Sequence, residues 1–366
     1  MSDGIDVSVL VTTYRRPRHL ELVLASLARQ ECDGIPFEVV VSDDGSDDDT
    51  ADVVARFAST AAFPVRFTTR PHDGFRLARV RNDAARRASG RYLMFLDGDC
   101  VVPPHHIAAH VARRRLGTAL LGYCARLSEE VSVRLTPSSI ATTTLGSLVS
   151  CSERRSLARR RRKARWHTIL RHPTKPRLAG GDFGVWHEDF LRVNGFDERF
   201  VGWGQEDDDL GLRLRTVGIR LETILDRTCS MHVWHATDPT ATPRWRDGTN
   251  VSYFKRRGRL THCRHGLVDR PVEDIVWGLP TDLTATPLGR TVAQRLAAAR
   301  IAKPGQTCEI DVVTRPGSST FTRPAECRLV LIEAGAPIDD TLARAADQVV
   351  AVTSASDLDA ALASVG

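Results

Sequence analysis

Over the first hundred residues, short β-branched runs alternate with amphipathic stretches, and this rhythm constrains the fold more than any single motif. VSVLVT at 7–12, FEVVVSD at 37–43, VRFTTR at 65–70 and YLMFL at 92–96 have the length and composition of strands. Between them, HLELVLASLARQ at 19–30 places leucines at helical spacing, DDGSDDDT at 43–50 turns into a short helix ending near Phe57, and LARVRNDAARRAS at 77–89 is helical. Two strands joined by a helix run parallel, so the pattern predicts an α/β unit with a mostly parallel sheet. Ligands of such sheets bind beyond the carboxyl ends of the strands. Two acid pairs stand there: Asp43 and Asp44 after the second run, Asp97 and Asp99 after the fourth.

The chain has 366 residues, enough for two domains or one large α/β domain with an appendage. Its 42% hydrophobic and 26% charged residues are those of a folded globular protein. No run approaches the roughly 20 apolar residues that span a bilayer. The N-terminus carries acids where a signal peptide is basic, so a cytoplasmic location is expected. Eight cysteines without a CxxC pair read as reduced thiols. Residues 1–125 form a first half and 126–285 a second. From about residue 280 the composition shifts, and 291–366 read as a small α/β appendage, a tether or association module, without a chemical signature.

Several stretches carry chemistry. FLDGDC at 95–100 ends an apolar strand in two carboxylates, and Gly98 lets the chain turn. Hard oxygen donors so placed suit a divalent cation, although an acidic turn capping a helix has the same letters. DDGSDDDT is a turn and helix cap, or presents Asp43 or Asp44 to a nucleobase or ribose. GWGQEDDDL at 202–210 sets four carboxylates in a row, in a chain of net charge +6. EDDDLGLRLRTVG reads as one helix, with Leu210, Leu214 and Val217 on one face and Gly218 as its stop. Acids in its first turn complement the helix dipole, and Asp209 can pair with Arg213. HVWH at 232–235 offers two imidazoles. Cys229, His232 and His235 could instead form a zinc triplet, and His232 could simply be a core histidine. RRSLARRRRKAR at 154–165, with eight basic residues in twelve, is a solvated helix or loop, or a surface for anionic lipid or acidic polysaccharide. It lacks the aromatic interleaving of nucleic-acid binders, so no nucleic acid is expected.

Four of these stretches together resemble a known family. VSVLVTTYRRPRHLELVLASL, FEVVVSDDGSDDDT and LARVRNDAARRASGRYLMFLDGD are similar to the nucleotide-sugar half of inverting glycosyltransferases of the GT-A fold, in particular family 2. GGDFGVWHEDFLRVNGFDERFVGWGQEDDDLGLRL resembles the acceptor half of the galactosyltransferase and chondroitin-polymerase group. The resemblance covers about residues 7–235, in the family's order.

It implies a Rossmann-like half at 1–125 that binds a UDP-sugar, and an acceptor-binding, catalytic half at 126–285 carrying the basic insertion. Thr12, Tyr14 and Arg15 fall where the family holds the nucleotide, Asp44 or Asp43 at the uracil, and Arg81 near the diphosphate or ribose. Asp99 would ligate Mn2+ or Mg2+, and Asp97 would hold the ribose and a metal-bound water. His235 and, more weakly, His232 would complete the metal site. Asp207 falls at the catalytic base, with Glu206 and Asp208 as hydrogen-bonding partners. Trp203 would stack on the acceptor sugar, and Gly180 and Gly181 would let a sugar approach closely, with a strand bulge as the bland alternative.

Glycosyl transfer passes through an oxocarbenium-like transition state. Where a metal neutralises the leaving diphosphate, one base that takes the acceptor's proton suffices. The resemblance thus implies inverting transfer, with galactose or N-acetylgalactosamine as the favoured sugar, to a hydroxyl of a glycan or lipid-linked saccharide. Peripheral membrane contact through 154–170 would present such an acceptor at a membrane's inner face. Glucose, N-acetylglucosamine or a uronic acid is the alternative within the fold, and a non-catalytic polyanion-binding module the alternative outside enzymes. Gln205 stands where the galactosyltransferases usually have Gly, and His232 where some have Met.

Overall fold

The central apolar runs become strands that are buried on both faces. In the computed structural model, which describes residues 4–32, 34–236, 247–314, 321 and 323–365, β1 (Val7–Thr13) and β2 (Phe37–Asp43) are buried at every position. They are followed by β3 (Val65–Thr69), β4 (Tyr92–Asp97), β5 (Cys100–Val101), β6 (Thr118–Leu121), β7 (Cys124–Arg126), β8 (Asp182–Trp186), β9 (Arg220–Thr223) and β10 (Ser230–His232). The main sheet has the order β3-β2-β1-β4-β8-β6-β9. β1, β2, β3 and β4 are parallel, and β8 is antiparallel to both its neighbours. This is the mixed, mostly parallel α/β sheet expected from the sequence.

Register decides what meets at the carboxyl edge. Thr12 lies beside Asp97 and Thr13 beside Asp43. The reversed strand β8 places Asp182 beside Leu96, so Gly181 comes next to Asp97 and its carbonyl accepts from the Asp97 amide at 3.2 Å. Helix Pro17–Leu27 packs Leu20, Leu24 and Leu27, all buried, into the core with Val9, Val39 and Met94. Each such burial is worth about 1.5–3 kcal/mol. A second sheet, β5-β10-β7, is antiparallel between β5 and β10 and parallel between β10 and β7.

The basic run is part of a longer helix, Cys151–Ile169, capped by the Ser150 hydroxyl on the Glu153 amide. None of its residues is fully buried, and Trp166, Ile169 and Leu170 near its end are 61, 66 and 70% exposed. No described helix is long and apolar enough to cross a membrane.

The chain divides into units 1–254 and 255–366. The second unit has its own parallel sheet, built from β11 (Val276–Gly278), β12 (Arg300–Ile301), β13 (Cys308–Val313), β14 (Ala325–Glu333) and β15 (Gln348–Val352) in the order β12-β11-β13-β14-β15. It therefore takes in residues 255–285, which sequence alone grouped with the acceptor half. The reason is β11: three residues are too few to read as a strand, yet Trp277 pairs beside Ile310 and is buried in one core with Leu260 and Ile275.

Candidate active site

The DGD turn is shaped by close packing. The Gly98 amide donates to the Thr12 carbonyl at 2.8 Å, and a Cβ at this position would lie 2.6 Å from that oxygen. Only glycine fits there. β10 then runs over the turn, with His232 opposite Cys100 and the Val233 amide donating to the Asp99 carbonyl at 2.8 Å. Consequently Asp99 lies 3.6 Å from His232 Nε2 and 3.3 Å from His235 Nε2, and the three ligand atoms fall within 4.8 Å of one another. Cys229 is not in this group, so the zinc triplet considered from sequence is replaced by one in which Asp99 stands for the cysteine. Burial would raise Asp99, but the His235 hydrogen bond and the charges of His232 and Arg16 outweigh it and hold the carboxyl at about 2. One carboxylate and two imidazoles fit a divalent transition metal such as Mn2+ better than Mg2+, which prefers oxygen ligands.

Among the donor-side residues, Asp43 accepts from the Gly45 and Ser46 amides and from the Ser46 and Thr69 hydroxyls, so its oxygens are committed to the turn. Asp44 differs: its Oδ1 is buried with no hydrogen-bond partner among the described residues, and burial raises its pKa. Tyr14 stacks on His72 with centroids 4.3 Å apart, and the Arg15 guanidinium lies 5.3 Å from the Tyr14 ring while pairing with Asp47.

Arg81 is a buried bridge. Its guanidinium donates to Asp97 at 3.0 Å and to Glu206 at 3.1 Å, joining the DGD turn to the acidic helix. Expected near the diphosphate or ribose, it pairs with both of these carboxylates. Burial raises Asp97 above the ordinary carboxylate range, with Arg81 opposing. The glycine pair serves this bridge. A Cβ on Gly180 would lie 2.5 Å from the Arg81 guanidinium, and one on Gly181 2.8 Å from Asp97 Oδ2. Protein side chains thus approach both glycines closely.

The four acids open helix Glu206–Thr216 and divide by partner. Asp207 accepts from the Gly180 amide at 3.0 Å and, through its other oxygen, from the Asp208 amide at 2.8 Å. Asp208 pairs with Arg177, and Asp209 forms a buried pair with Arg213 at 2.7 Å, as its spacing predicts. Glu206 keeps Oε2 buried without a hydrogen-bond partner among the described residues. Before the helix, Gly202, Gly204 and Gln205 all take positive φ, so Gln205 occupies a conformation that favours glycine. Trp203 is half-buried and stacks on Phe75 with centroids 4.5 Å apart, which covers one face.

Residues 8–174 match the model for glycosyl transferase family 2, and 166–235 match that for the N-terminal domain of galactosyltransferase. Over residues 8–174 the first unit is thus similar to glycosyl transferase family 2. The chain is 35% identical to validoxylamine A glucosyltransferase of Streptomyces hygroscopicus subsp. limoneus over 58% of its own length and 48% of the relative's. It is 26% identical to chondroitin synthase of Escherichia coli over 61% of this chain and 34% of that one. The chain thus spans about half the length, or less, of these relatives. Among solved structures, GalNAc-T7 with UDP, GalNAc and Mn2+ aligns with a TM-score of 0.47 at 15% identity, covering 70% of this chain and 51% of that one.

The site also uses residues that no motif singled out. Arg16 pairs with Asp99 at 2.9 Å, His19 packs edge-on to His235, and Asn250 donates to the Trp203 and Gly204 carbonyls. His72 and Phe75, which back Tyr14 and Trp203, share the stretch RPHDGFR at 70–76. Its aromatic residues between turn formers were the one available signal.

Charge crowding in the acidic turn has a consequence for stability. Burial and the charge of Asp207 push Asp208 up to about 6, against the pull of Arg177. The folded state therefore binds this proton more tightly than the unfolded chain. The associated stability is complete near pH 4 and is lost as pH rises through about 6. Asp208→Asn is expected to raise Tm at pH 8 by about 2–4 °C for each kcal/mol recovered, with no gain at pH 4. Thermal melts of both proteins at the two pH values check this; an equal shift at both would refute it.

Proposed function

We propose that the first unit transfers a sugar from a UDP-sugar to an acceptor hydroxyl, with inversion and with a divalent cation. The observation that carries this reading is the placement of Asp99, His232 and His235 at one end of the Asp97–Arg81–Glu206 bridge and of Asp207 at the other. A cation held by Asp99, His235 and His232 would neutralise the diphosphate as the glycosidic bond breaks. On the donor side, the unpartnered Asp44 oxygen is suited to accept the N–H of uracil, and Tyr14, braced by His72, to line the base. Thr12 and Arg15 flank it, and Asp97, oriented by Arg81, accepts from the ribose. Asp207, pinned by two backbone amides, receives the acceptor's proton as the hydroxyl oxygen bonds to the anomeric carbon. A single base on one face of the sugar favours inversion.

The match of residues 166–235 to the galactosyltransferase model favours galactose or N-acetylgalactosamine. Similarity to a relative named as a glucosyltransferase favours glucose as a second reading. The acceptor is a glycan or lipid-linked saccharide. The exposed basic helix, with Trp166, Ile169 and Leu170 near its end, supports contact with anionic lipid while such an acceptor is bound.

UDP release is to be measured with the UDP forms of galactose, N-acetylgalactosamine, glucose, N-acetylglucosamine and glucuronic acid in Mn2+. One donor should be consumed well above the others. If none is consumed and UDP fails to bind with Mn2+, the enzyme reading falls. Salt-sensitive polyanion binding that survives Asp99→Ala would then indicate a binding module.

A further inference from the structure

Away from the DGD turn, the first unit holds a second convergence of ligand-type side chains, all of them buried. His106 and His110 lie one turn apart on helix His106–Arg113 and so share a face. They meet Asp182, the first residue of β8; the three residues are 2, 0 and 2% exposed. We propose that His106, His110 and Asp182 form a structural metal site, suited to zinc, distinct from the Asp99 group.

Distance is the first support. The two Nε2 atoms lie 3.4 and 3.8 Å from the same Asp182 Oδ1. That is longer than the 2.7–3.2 Å of an ordinary N–H···O bond. It is close to the roughly 3.3 Å edge of a tetrahedron drawn around an ion with bonds of about 2.0–2.1 Å. All three ligand atoms lie within 4.8 Å of one another.

The second support is an unmet need. Both ring nitrogens of His110 are buried and have no hydrogen-bond partner among the described residues. An imidazole so placed costs free energy unless something binds it.

The outer contacts are those that orient metal ligands. His106 Nδ1 lies 2.8 Å from Thr228 Oγ1; an Nδ1–H donated there leaves Nε2 unprotonated and facing Asp182. Asp182 Oδ2 accepts the Ser230 hydroxyl at 2.9 Å and the Ser230 amide at 3.2 Å, which frees Oδ1 for the ion. Two imidazoles and a carboxylate are a zinc donor set. An ion here would staple the helix to β8 and, through Ser230, to β10, the strand that carries His232. Because Gly181 precedes Asp182, the staple also braces the strand end packed against Asp97.

The test uses the full chain, with zinc counted by elemental analysis after gel filtration in wild type, Asp99→Ala, His110→Leu and Asp182→Asn. About one zinc per chain should remain in wild type and in Asp99→Ala and be lost in His110→Leu. Adding Zn2+ should raise the Tm of metal-stripped wild type, and zinc affinity should fall at least tenfold in Asp182→Asn, which keeps the side chain's shape. Should His110→Leu fail to fold, Co2+ added to stripped Asp99→Ala decides the matter, since a tetrahedral site gives visible absorption bands. The proposal is overturned if stripped wild type shows neither a Zn2+-dependent Tm shift nor Co2+ bands. It is equally overturned if His110→Leu folds with unchanged zinc content, because the cluster would then be an ordinary buried polar network.

Discussion

Asp207→Asn should lower sugar transfer by about 10³-fold, within the 10²–10⁴ range of a lost general base, while UDP binding stays within about twofold of wild type. Asp207 is held by the Gly180 and Asp208 amides, which fix where its oxygens sit. The asparagine keeps the shape and loses the proton acceptor. Binding of UDP, which depends on the other end of the site, controls for misfolding. The nearest competitor for the role is Glu206. Burial and the charge of Asp207 push it up to about 7, with Arg81 opposing, and its Oε2 has no partner. If Asp207→Asn keeps most of its activity, and a pH–rate midpoint near 7 vanishes in Glu206→Gln, the base is Glu206 and the assignment to Asp207 is wrong.

Asp99→Ala should abolish the dependence of UDP binding on Mn2+. In wild type, calorimetry is expected to show UDP binding on the order of 10²-fold tighter with Mn2+ than without, in line with the several kcal/mol that a bound cation contributes. The variant should bind UDP equally in both conditions, because Asp99 is the one carboxylate in a group otherwise made of His232 and His235. Without Asp99, Arg16 and the two imidazoles lose a counter-charge, so weak, salt-sensitive UDP binding should remain. His235→Ala should move in the same direction by less. Enhancement by Mn2+ that survives in Asp99→Ala would show that the metal sits elsewhere.

Features encoded over short stretches were readable in the sequence. The continuous apolar runs and the helical patterns locate β1, β2, β4 and the helices between them to within a few residues, because burial on both faces of a central strand demands such runs. The Asp209–Arg213 pair and the turn at Gly98 are equally local. The second unit's start was not readable, since β11 is recognisable only by the strand it pairs with.

Within the site, the sequence by itself determined which chemical groups are available: the DGD turn, the HVWH pair and the acids of a helix's first turn. Only the tertiary structure decided how they divide the work. Asp43 and Asp44 are adjacent and chemically alike, yet hydrogen bonds from Thr69 and Ser46 commit the first and leave an oxygen of the second free. Arg81 bridges Asp97 and Glu206 because β8 runs antiparallel beside β4 and brings two glycines, with no side chains, against it. His110 and Asp182 meet for the same reason. Such partnerships join residues far apart in the chain, so they follow from strand order and register, which no local pattern of residues encodes.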